Sequence, residues 1–371
     1  MGESFDNTVQ NISLDLNASI SSLKTLVERN TKYITLIFLI GIIVVVVFFM
    51  NTDEDKVFHP HTKPLKPVKS LETISTKNQT RNSMFQNIRA GAIVFYGRQR
   101  YVQILNCYLE RNLIDNGGVL QEIIFVAKTN NKADLAYLDS LIASHPKRYS
   151  RKNVTNLGWS FDAHYKGLNP EQYYFKIDDD IVYIHEGALE HMLEAKIQNP
   201  DVLFVSANVI NHPVLASVHG QMRAFYNISR LANISGEDPN CAWNSANCGS
   251  IQHESFLKHI HDKSLHYYIF NQWDFNWKNQ YPRWSINLIL FQGKDVRDVT
   301  PGDDEHQISI VIPSKQKRHS IAVGAAVAVH FAYIPQRNSG MVGAREAYFV
   351  GRYANLSRTF CVSSTRKDSN K

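Results

Sequence analysis

Cysteine is scarce in this chain of 371 residues, and no two cysteines form a CxxC pair. A zinc site is therefore not expected. The four cysteines are Cys107, Cys241, Cys248 and Cys361. Cys241 and Cys248 are close enough in sequence to form a local disulfide loop in an oxidising compartment, but the sequence leaves the pairing open.

Long blocks of lysine and arginine are also absent, as is any recognisable nucleic-acid-binding motif. The net charge is +6, from 40 basic and 34 acidic residues, which is small for a chain of this length. We therefore expect no nucleic-acid partner. The hydrophobic content of 44% can bury the core of one large domain with appendages, or of two domains.

Formal charge is missing from residues 33–50, YITLIFLIGIIVVVVFFM. At about 1.5 Å per residue, a helix of this length spans about 27 Å, which is close to the hydrocarbon thickness of a bilayer. A cleaved signal peptide would begin nearer the N-terminus and end in small residues, whereas this run ends in Phe48, Phe49 and Met50. The pattern predicts a transmembrane helix that is retained as an anchor.

The charges on the two flanks predict the orientation of this helix. Residues 21–32 carry three basic side chains and one acidic one, whereas residues 51–56 carry three acidic side chains and one basic one. Residues 1–32 are therefore expected in the cytosol and the rest in the lumen. N-glycosylation sequons on the luminal side agree with this, although Asn11 and Asn17 also match: Asn78, Asn153, Asn227, Asn233 and Asn355.

Residues 51–88 contain three prolines and few large apolar side chains, which is typical of a stem. A folded domain is expected at residues 89–371. In its first half, predicted strands at 91–97, 120–129 and 173–177 alternate with predicted helices at 100–113 and 132–145. This alternation predicts an α/β domain with a parallel, Rossmann-like sheet, which binds ligands beyond the carboxyl ends of its strands.

The most informative stretch is YYFKIDDDIVYI, residues 173–184. Asp178, Asp179 and Asp180 follow a buried strand, and three adjacent carboxylates raise one another's pKa unless a cation or another ligand compensates them. Oxygen ligands suit Mg²⁺ or Mn²⁺, and phosphate oxygens often complete the coordination shell of these ions. The stretch predicts a site for a metal ion and a diphosphate. The alternative is an acidic turn that is simply solvated.

The anchor, the stem, the βαβ units and the sequence FKIDDDIVYI together resemble the GT-A class of nucleotide-sugar glycosyltransferases, with their DxD motif. More specifically, the chain is similar to an uncharacterised group of fungal type II membrane proteins described as glycosyltransferase-like. That resemblance covers roughly residues 90–355 and rests on KIDDDIVYI, VSANVI, RWSINLILFQGKD, PGDDE and HFAYIPQR.

The resemblance implies a GT-A domain, a Rossmann-like mixed sheet flanked by helices. It also implies a metal-dependent glycosyltransferase of the Golgi or endoplasmic reticulum membrane. Such an enzyme moves a sugar from a nucleotide-sugar donor to a glycan, protein or lipid acceptor.

The resemblance also implies roles for individual residues. Asp180, at the last position of the DxD motif, would bind Mn²⁺ or Mg²⁺ directly. Asp178, at the first position, would face the ribose of the donor, or the metal ion through water. His330, in the apolar stretch VAVHFAY, would be a further metal ligand; without the resemblance it is more simply a hydrogen-bonded core residue. Asp179 would contact the donor, or else turn away to cap a neighbouring segment.

Two arginines and an acidic cluster complete the predicted site. Arg98 and Arg100 follow the first strand and would bind the diphosphate or the nucleotide, or else be ordinary surface charges. An inverting transfer needs a base for the acceptor hydroxyl. The resemblance favours Asp304 first and Glu305 second, whereas the alternative for the cluster at 303–305 is a helix N-cap with an acidic first turn.

Four aromatic residues between 271 and 291 are candidates for stacking on a sugar or a nucleobase, and their spacing fits the core face of a helix equally well. We expect most of them in the core and one facing the acceptor. They are Trp273, Trp277, Tyr281 and Trp284.

Two other functions fit parts of the pattern. A membrane-anchored carbohydrate-binding protein would use the same fold without turnover, because a fold does not establish an activity. A glycoside hydrolase would need two carboxylates that flank the bond but no metal ion.

Overall fold

The computed structural model describes residues 85, 88–154, 158, 160–226, 243–276 and 279–365, the last five by their backbone only. The predicted cytosolic tail, the predicted span at 33–50 and nearly all of the predicted stem lie outside these residues. Among the helices that are described, none combines the length and the apolar character needed to cross a membrane.

Strands and helices alternate through the first half of the domain, as the sequence predicts. The elements are β1 (Ala90–Tyr96), α1 (Gln99–Arg111), a 3₁₀ turn (Ile114–Asn116), β2 (Glu122–Ala127), α2 (Lys132–Ser144), β3 (Tyr149–Asn153), α3 (Asp162–Tyr165) and β4 (Tyr173–Asp178).

The second half is less regular. Its elements are β5 (Ile181–Ile184), α4 (Ala188–Gln198), β6 (Val202–Ile210), α5 (Leu215–Gln221), α6 (Ala246–His261), a 3₁₀ turn (Leu265–Tyr268), β7 (Gln272–Asp274), β8 (Leu288–Gln292), a 3₁₀ turn (Gly293–Val296), α7 (Asp304–His306), a π-helical turn (Gln307–Val311), α8 (Ile312–Gln316), β9 (His319–His330), α9 (Ile334–Asn338) and α10 (Ala344–Thr365).

The described strands form one mixed sheet in the order β3-β2-β1-β4-β8-β6-β9-β5, and β7 pairs with β9. Strands β1 to β4 are parallel, which the sequence predicts. Strand β8 runs antiparallel to both of its neighbours, β4 and β6, and β9 is parallel to β6. Strands β1, β4, β6 and β9 therefore all end at the same edge of the sheet, where β8 begins.

Strand β3 is absent from the sequence prediction. Its sequence is YSRKN, and it lies at the end of the strand order. An edge strand with polar side chains carries no apolar pattern, so periodicity does not reveal it. By contrast, every residue of β6 is buried, and its sequence VLFVSANVI is largely apolar.

The described part of the aromatic stretch at 271–291 contains a short strand, an irregular segment and most of β8. The alternative in which these aromatics form the core face of a helix is therefore wrong. The prediction that most of its aromatics are in the core holds for Trp273 and Trp284, which are both buried. Trp284 stacks on Phe275 with a distance of 4.4 Å between ring centroids. Tyr281 is half-buried, and Trp277 lies outside the described residues.

Two of the four cysteines have described side chains, Cys107 and Cys248, and both are disulfide-bonded. Cys107 lies on α1 and Cys248 in the first turn of α6. The side chains of Cys241 and Cys361 lie outside the described part of the chain.

Candidate functional site

Three residues that are far apart in sequence meet at the edge where these strands end. Asp178 is the last residue of β4, His330 is the last residue of β9, and Asn287 immediately precedes β8. The strand directions bring them together, because β4 and β9 end at the edge where the antiparallel strand β8 begins. This is the edge at which an α/β sheet is expected to bind ligands.

Asp178 is held by its neighbours on both carboxylate oxygens. Lys176 Nζ donates to Oδ1 at 2.5 Å, and Asn287 Nδ2 donates to Oδ2 at 3.2 Å. Lys176 also donates to the Ile286 carbonyl at 2.8 Å, and its side chain is buried. The carboxylate of Asp178 is thus fixed in orientation while part of it stays accessible.

Asp180 and His330 lie side by side because of the register between β5 and β9. Ile181 is opposite His330, and Phe331 N donates to the Asp180 carbonyl at 2.9 Å. The His330 Nε2 atom lies 3.4 Å from Asp180 Oδ1. Arg337 donates to Asp180 Oδ2 at 2.8 Å.

Asp180 is fully buried, yet it is ionised. Burial by itself would raise the pKa of this carboxyl, but Arg98, His330 and Arg337 together hold it well below its usual range. The Arg98 guanidinium lies 3.2 Å from Asp180 Oδ2. Asp180 is therefore a permanent anion at neutral pH.

Asp179 points away from this group, toward the turn between β1 and α1. Gly97 N donates to Asp179 Oδ2 at 3.0 Å, and Arg98 Nε donates to Oδ1 at 3.1 Å, with a second contact from the Arg98 Nη2 atom. Asp179 thus accepts hydrogen bonds from the turn between β1 and α1, and its predicted contact with the donor stays a prediction.

Asp178, Asp180 and His330 form a cluster that can hold a metal ion, because their ligand atoms all lie within 4.8 Å of one another. Two carboxylates and an imidazole are a donor set that suits Mn²⁺. The His330 Nδ1 atom is buried and has no hydrogen-bond partner among the residues that the structure describes, which is unusual for a buried polar atom. The residues present therefore fit a divalent ion.

The protein also supplies cations to the three carboxylates, in a way that the sequence did not reveal. Lys176 pairs with Asp178, Arg98 with both Asp179 and Asp180, and Arg337 with Asp180. The charge compensation that the sequence argument assigned to a metal ion thus comes at least partly from side chains. Lys176 could have been recognised from the sequence, because it is a lysine inside the apolar run YYFKI.

Arg98 and Arg100 lie beside an open pocket of about 400 Å³ at the carboxyl ends of β1 and β2. The pocket is also lined by Gln99, Gln103, Asn131 and Asp134. Arg98 is tied to the acidic turn, whereas Arg100 is mostly exposed and forms an ion pair with Glu346 at 2.9 Å. Both arginines therefore lie where the sequence places them, just past the first strand.

The acidic cluster at 303–305 begins a helix, as one of the two interpretations of the sequence requires. Asp303 is the N-cap of α7 and accepts a hydrogen bond from His306 N at 3.1 Å. Arg283 bridges Asp303 and Glu305, with distances of 2.7 and 2.8 Å.

Asp304 and Glu305 have different surroundings. Asp304 is 8% exposed and accepts a hydrogen bond from the Tyr165 hydroxyl at 2.7 Å. The Glu305 side chain is 25% exposed. Burial raises the pKa of both carboxyls, and nearby cations oppose this only in part. The Ser285 side chain faces both Glu305 and Tyr333, the residue that packs on His330.

No protein-family model and no curated protein matches the chain. Among solved structures, the fold is similar to the mannosyltransferase PcManGT from Pyrobaculum calidifontis, solved in complex with GDP-Man and Mn²⁺. The identity is 13%, the match covers 78% of this chain and 79% of that one, and the TM-score is 0.39.

A 4-diphosphocytidyl-2C-methyl-D-erythritol synthase is also similar, at 9% identity over 72% of this chain and 99% of that one, with a TM-score of 0.32. Both TM-scores are below 0.5, so neither likeness bears on the substrate or the activity of this chain.

The geometry predicts that replacement of Asp180 and replacement of Asp179 have different effects on metal binding. Asp180→Asn should lower the affinity for Mn²⁺ at least about tenfold, because a ligand charge is lost. The matched change Asp179→Asn should leave that affinity within about threefold but reduce the free energy of unfolding by about 1–3 kcal/mol, because Arg98 loses its charged acceptor. The affinity is measured by titrating the full chain with Mn²⁺ and using electron paramagnetic resonance to determine the concentration of the free ion. Equal losses in the two variants would contradict the assignment.

Proposed function

We propose that this chain is a metal-dependent glycosyltransferase with a GT-A domain, which transfers a sugar from a nucleotide-sugar donor. The observation that carries the proposal is the cluster of Asp178, Asp180 and His330 at the carboxyl ends of the strands, next to the arginine-lined pocket. A structural carboxylate cluster would not require a neighbouring cationic pocket that is open to solvent.

In this proposal, Asp178, Asp180 and His330 hold Mn²⁺ or Mg²⁺, and Lys176 and Asn287 orient the Asp178 carboxylate. A bound ion would act as a Lewis acid that stabilises the departing nucleoside diphosphate. Arg98 is not available as a simple phosphate ligand because it is paired with the acidic turn. Its role is to hold the Asp179 and Asp180 carboxyls in place and to favour the anionic form of Asp180.

The pocket of about 400 Å³ is the place for the nucleotide of the donor, since it has the size of a small-molecule site. Arg100 supplies an exposed positive charge there, and it also forms an ion pair with the buried carboxylate of Glu346. The pocket also offers amide groups from Gln99 and Gln103 for hydrogen bonds to a ribose or a base.

For an inverting transfer, Glu305 is better placed than Asp304 to act as the base. A base must be within hydrogen-bond reach of an acceptor that enters from solvent. Asp304 is buried and already accepts a hydrogen bond from the Tyr165 hydroxyl, whereas the Glu305 side chain is partly exposed. The structural surroundings thus reverse the order of preference that the sequence favoured.

We also propose that the domain lies in the lumen of the Golgi or the endoplasmic reticulum, behind a single type II anchor at residues 33–50. The charge asymmetry across the anchor supports this orientation. Two sequon asparagines, Asn153 and Asn355, are exposed, and the disulfide bonds of Cys107 and Cys248 suit an oxidising compartment.

The first test of the activity uses the full chain with a panel of nucleotide sugars and Mn²⁺, with free nucleoside diphosphate as the readout. One donor should be turned over, EDTA should lower the rate at least about tenfold, and Asp180→Asn should lower it on the order of 100-fold. A rate that is unaffected by EDTA would contradict metal dependence. Binding of a nucleotide without turnover would favour the carbohydrate-binding alternative.

The second test compares the two candidate bases in that assay. Glu305→Gln should lower kcat by about 10²–10⁴, because a general base contributes that much. Since burial raises the pKa of Glu305, the wild-type rate should rise with pH through that raised pKa, and the variant should lack this limb. Asp304→Asn should lower kcat less than about tenfold, since an amide oxygen still accepts from Tyr165. A larger loss in Asp304→Asn would make Asp304 the base.

The topology can be tested in yeast, where luminal sequons acquire glycans. Glycosidase digestion should lower the mass of the full chain. Asn153→Gln and Asn355→Gln should each remove one glycan, because both asparagines are exposed. The control Asn11→Gln should change nothing, since this sequon is expected in the cytosol. A glycan on Asn11, or none on the domain, would contradict the orientation.

A further inference from the structure

Trp243 is an exposed tryptophan beside the candidate site, and the sequence analysis did not single it out. Its relative exposure is 51%, and that of Ile334, at the start of α9, is 53%. Scattered surface leucines need no explanation, but an exposed indole next to a polar site does. Of the aromatics that the sequence proposed for stacking, Trp273 and Trp284 are buried.

The position of Trp243 is fixed by helix α9. The Ser339 hydroxyl donates to the Asn244 carbonyl at 2.7 Å and accepts from Ala246 N at 2.8 Å. The indole ring packs edge-on against Tyr333, with 6.3 Å between ring centroids. One face of the indole is therefore held ready for a ligand without a change in the chain around it.

Tyr333 joins Trp243 to the candidate metal ligands. Its ring lies 4.3 Å from the His330 ring, between centroids, and its hydroxyl donates to Asn287 Oδ1 at 3.0 Å. Asn287 in turn donates to Asp178 at 3.2 Å. The exposed indole is thus one aromatic ring away from His330.

We propose that Trp243, Tyr333 and Ile334, the aromatic platform, bind a sugar ring of the acceptor. This inference rests on the proposed function, and it narrows the acceptor to a carbohydrate. The apolar face of a pyranose would lie on the indole, and its hydroxyl edge would face Ser285 and Glu305.

The shape and surroundings of the platform favour a carbohydrate over a lipid or an extended peptide. A lipid chain would need a continuous apolar groove, but the large hydrophobic side chains that the structure describes as exposed here are Trp243 and Ile334. Tyr333, which adjoins both, has polar neighbours: its hydroxyl contacts Asn287, and the carboxylates of Asp178 and Glu305 are close enough to interact with it. A flat apolar surface next to hydrogen-bonding groups is complementary to a sugar ring.

The test measures equilibrium binding of labelled oligosaccharides that end in glucose, galactose, mannose or N-acetylglucosamine, with the full chain and without a donor. Trp243→Ala should weaken binding of the preferred oligosaccharide at least about tenfold. Trp243→Phe should keep it within about threefold, because an aromatic face remains.

Tyr267→Ala is the matched control. Tyr267 is also an exposed aromatic, but it lies beyond the C-terminal end of α6, whereas Trp243 precedes the N-terminal end of this helix of 16 residues. The helix is about 24 Å long, so the control should not affect binding. Hydrolysis of the donor, with water as the acceptor, should also be unchanged in Tyr267→Ala.

The outcomes separate the platform from the proposed activity. Equal binding by the wild type and Trp243→Ala, or no oligosaccharide binding by a chain that still turns over a donor, would overturn the platform. The platform would be supported if Trp243→Ala bound the oligosaccharide more weakly than the wild type while Trp243→Phe and Tyr267→Ala did not. If this result came from a chain that turns over no donor, the transferase proposal would fail and the platform would stand as that of a carbohydrate-binding protein.

Discussion

The structure of the site depends on the neutralisation of three consecutive carboxylates at the end of one strand. Asp178, Asp179 and Asp180 point in different directions and meet cations from three separate elements: Lys176 on β4, Arg98 after β1 and Arg337 on α9. Buried charges are tolerated only when they are paired and hydrogen-bonded. The acidic turn therefore fixes the relative positions of β1, β4 and α9, and a change in any of these ion pairs affects all three.

The strand order explains why the site forms at this edge. Along the chain, β1 is followed by β2 on one side of it, and β3 is followed by β4 on its other side. The crevice between β1 and β4 is thus a topological switch point, where open α/β sheets bind ligands. Arg98 and Asp178 lie at its two walls. The antiparallel strand β8 begins at this edge and adds Asn287, and the long strand β9 ends there and adds His330.

Much of the fold could be predicted from the sequence, because most strands and helices carry strong local patterns. Strand β3 could not, since its side chains are polar, and the buried Trp284 has the spacing of a helix but lies in irregular chain. The cluster of Asp178, Asp180 and His330 was expected from a resemblance, and the structure brings the three together. Their partners were not expected, because Arg337 and Asn287 reach the site through pairings that are remote in sequence.

The charge balance also has a consequence for the order of events at the site. Three carboxylates face three side-chain cations, so the site is near neutrality before any ligand is present. A divalent ion bound by Asp178, Asp180 and His330 would leave two positive charges uncompensated in a largely buried place, which is costly unless an anion accompanies it. A donor diphosphate carries that anionic charge. In the proposed function, the ion and the donor therefore stabilise each other's binding, and Arg98 and Arg337 keep the carboxylates in place when both are absent.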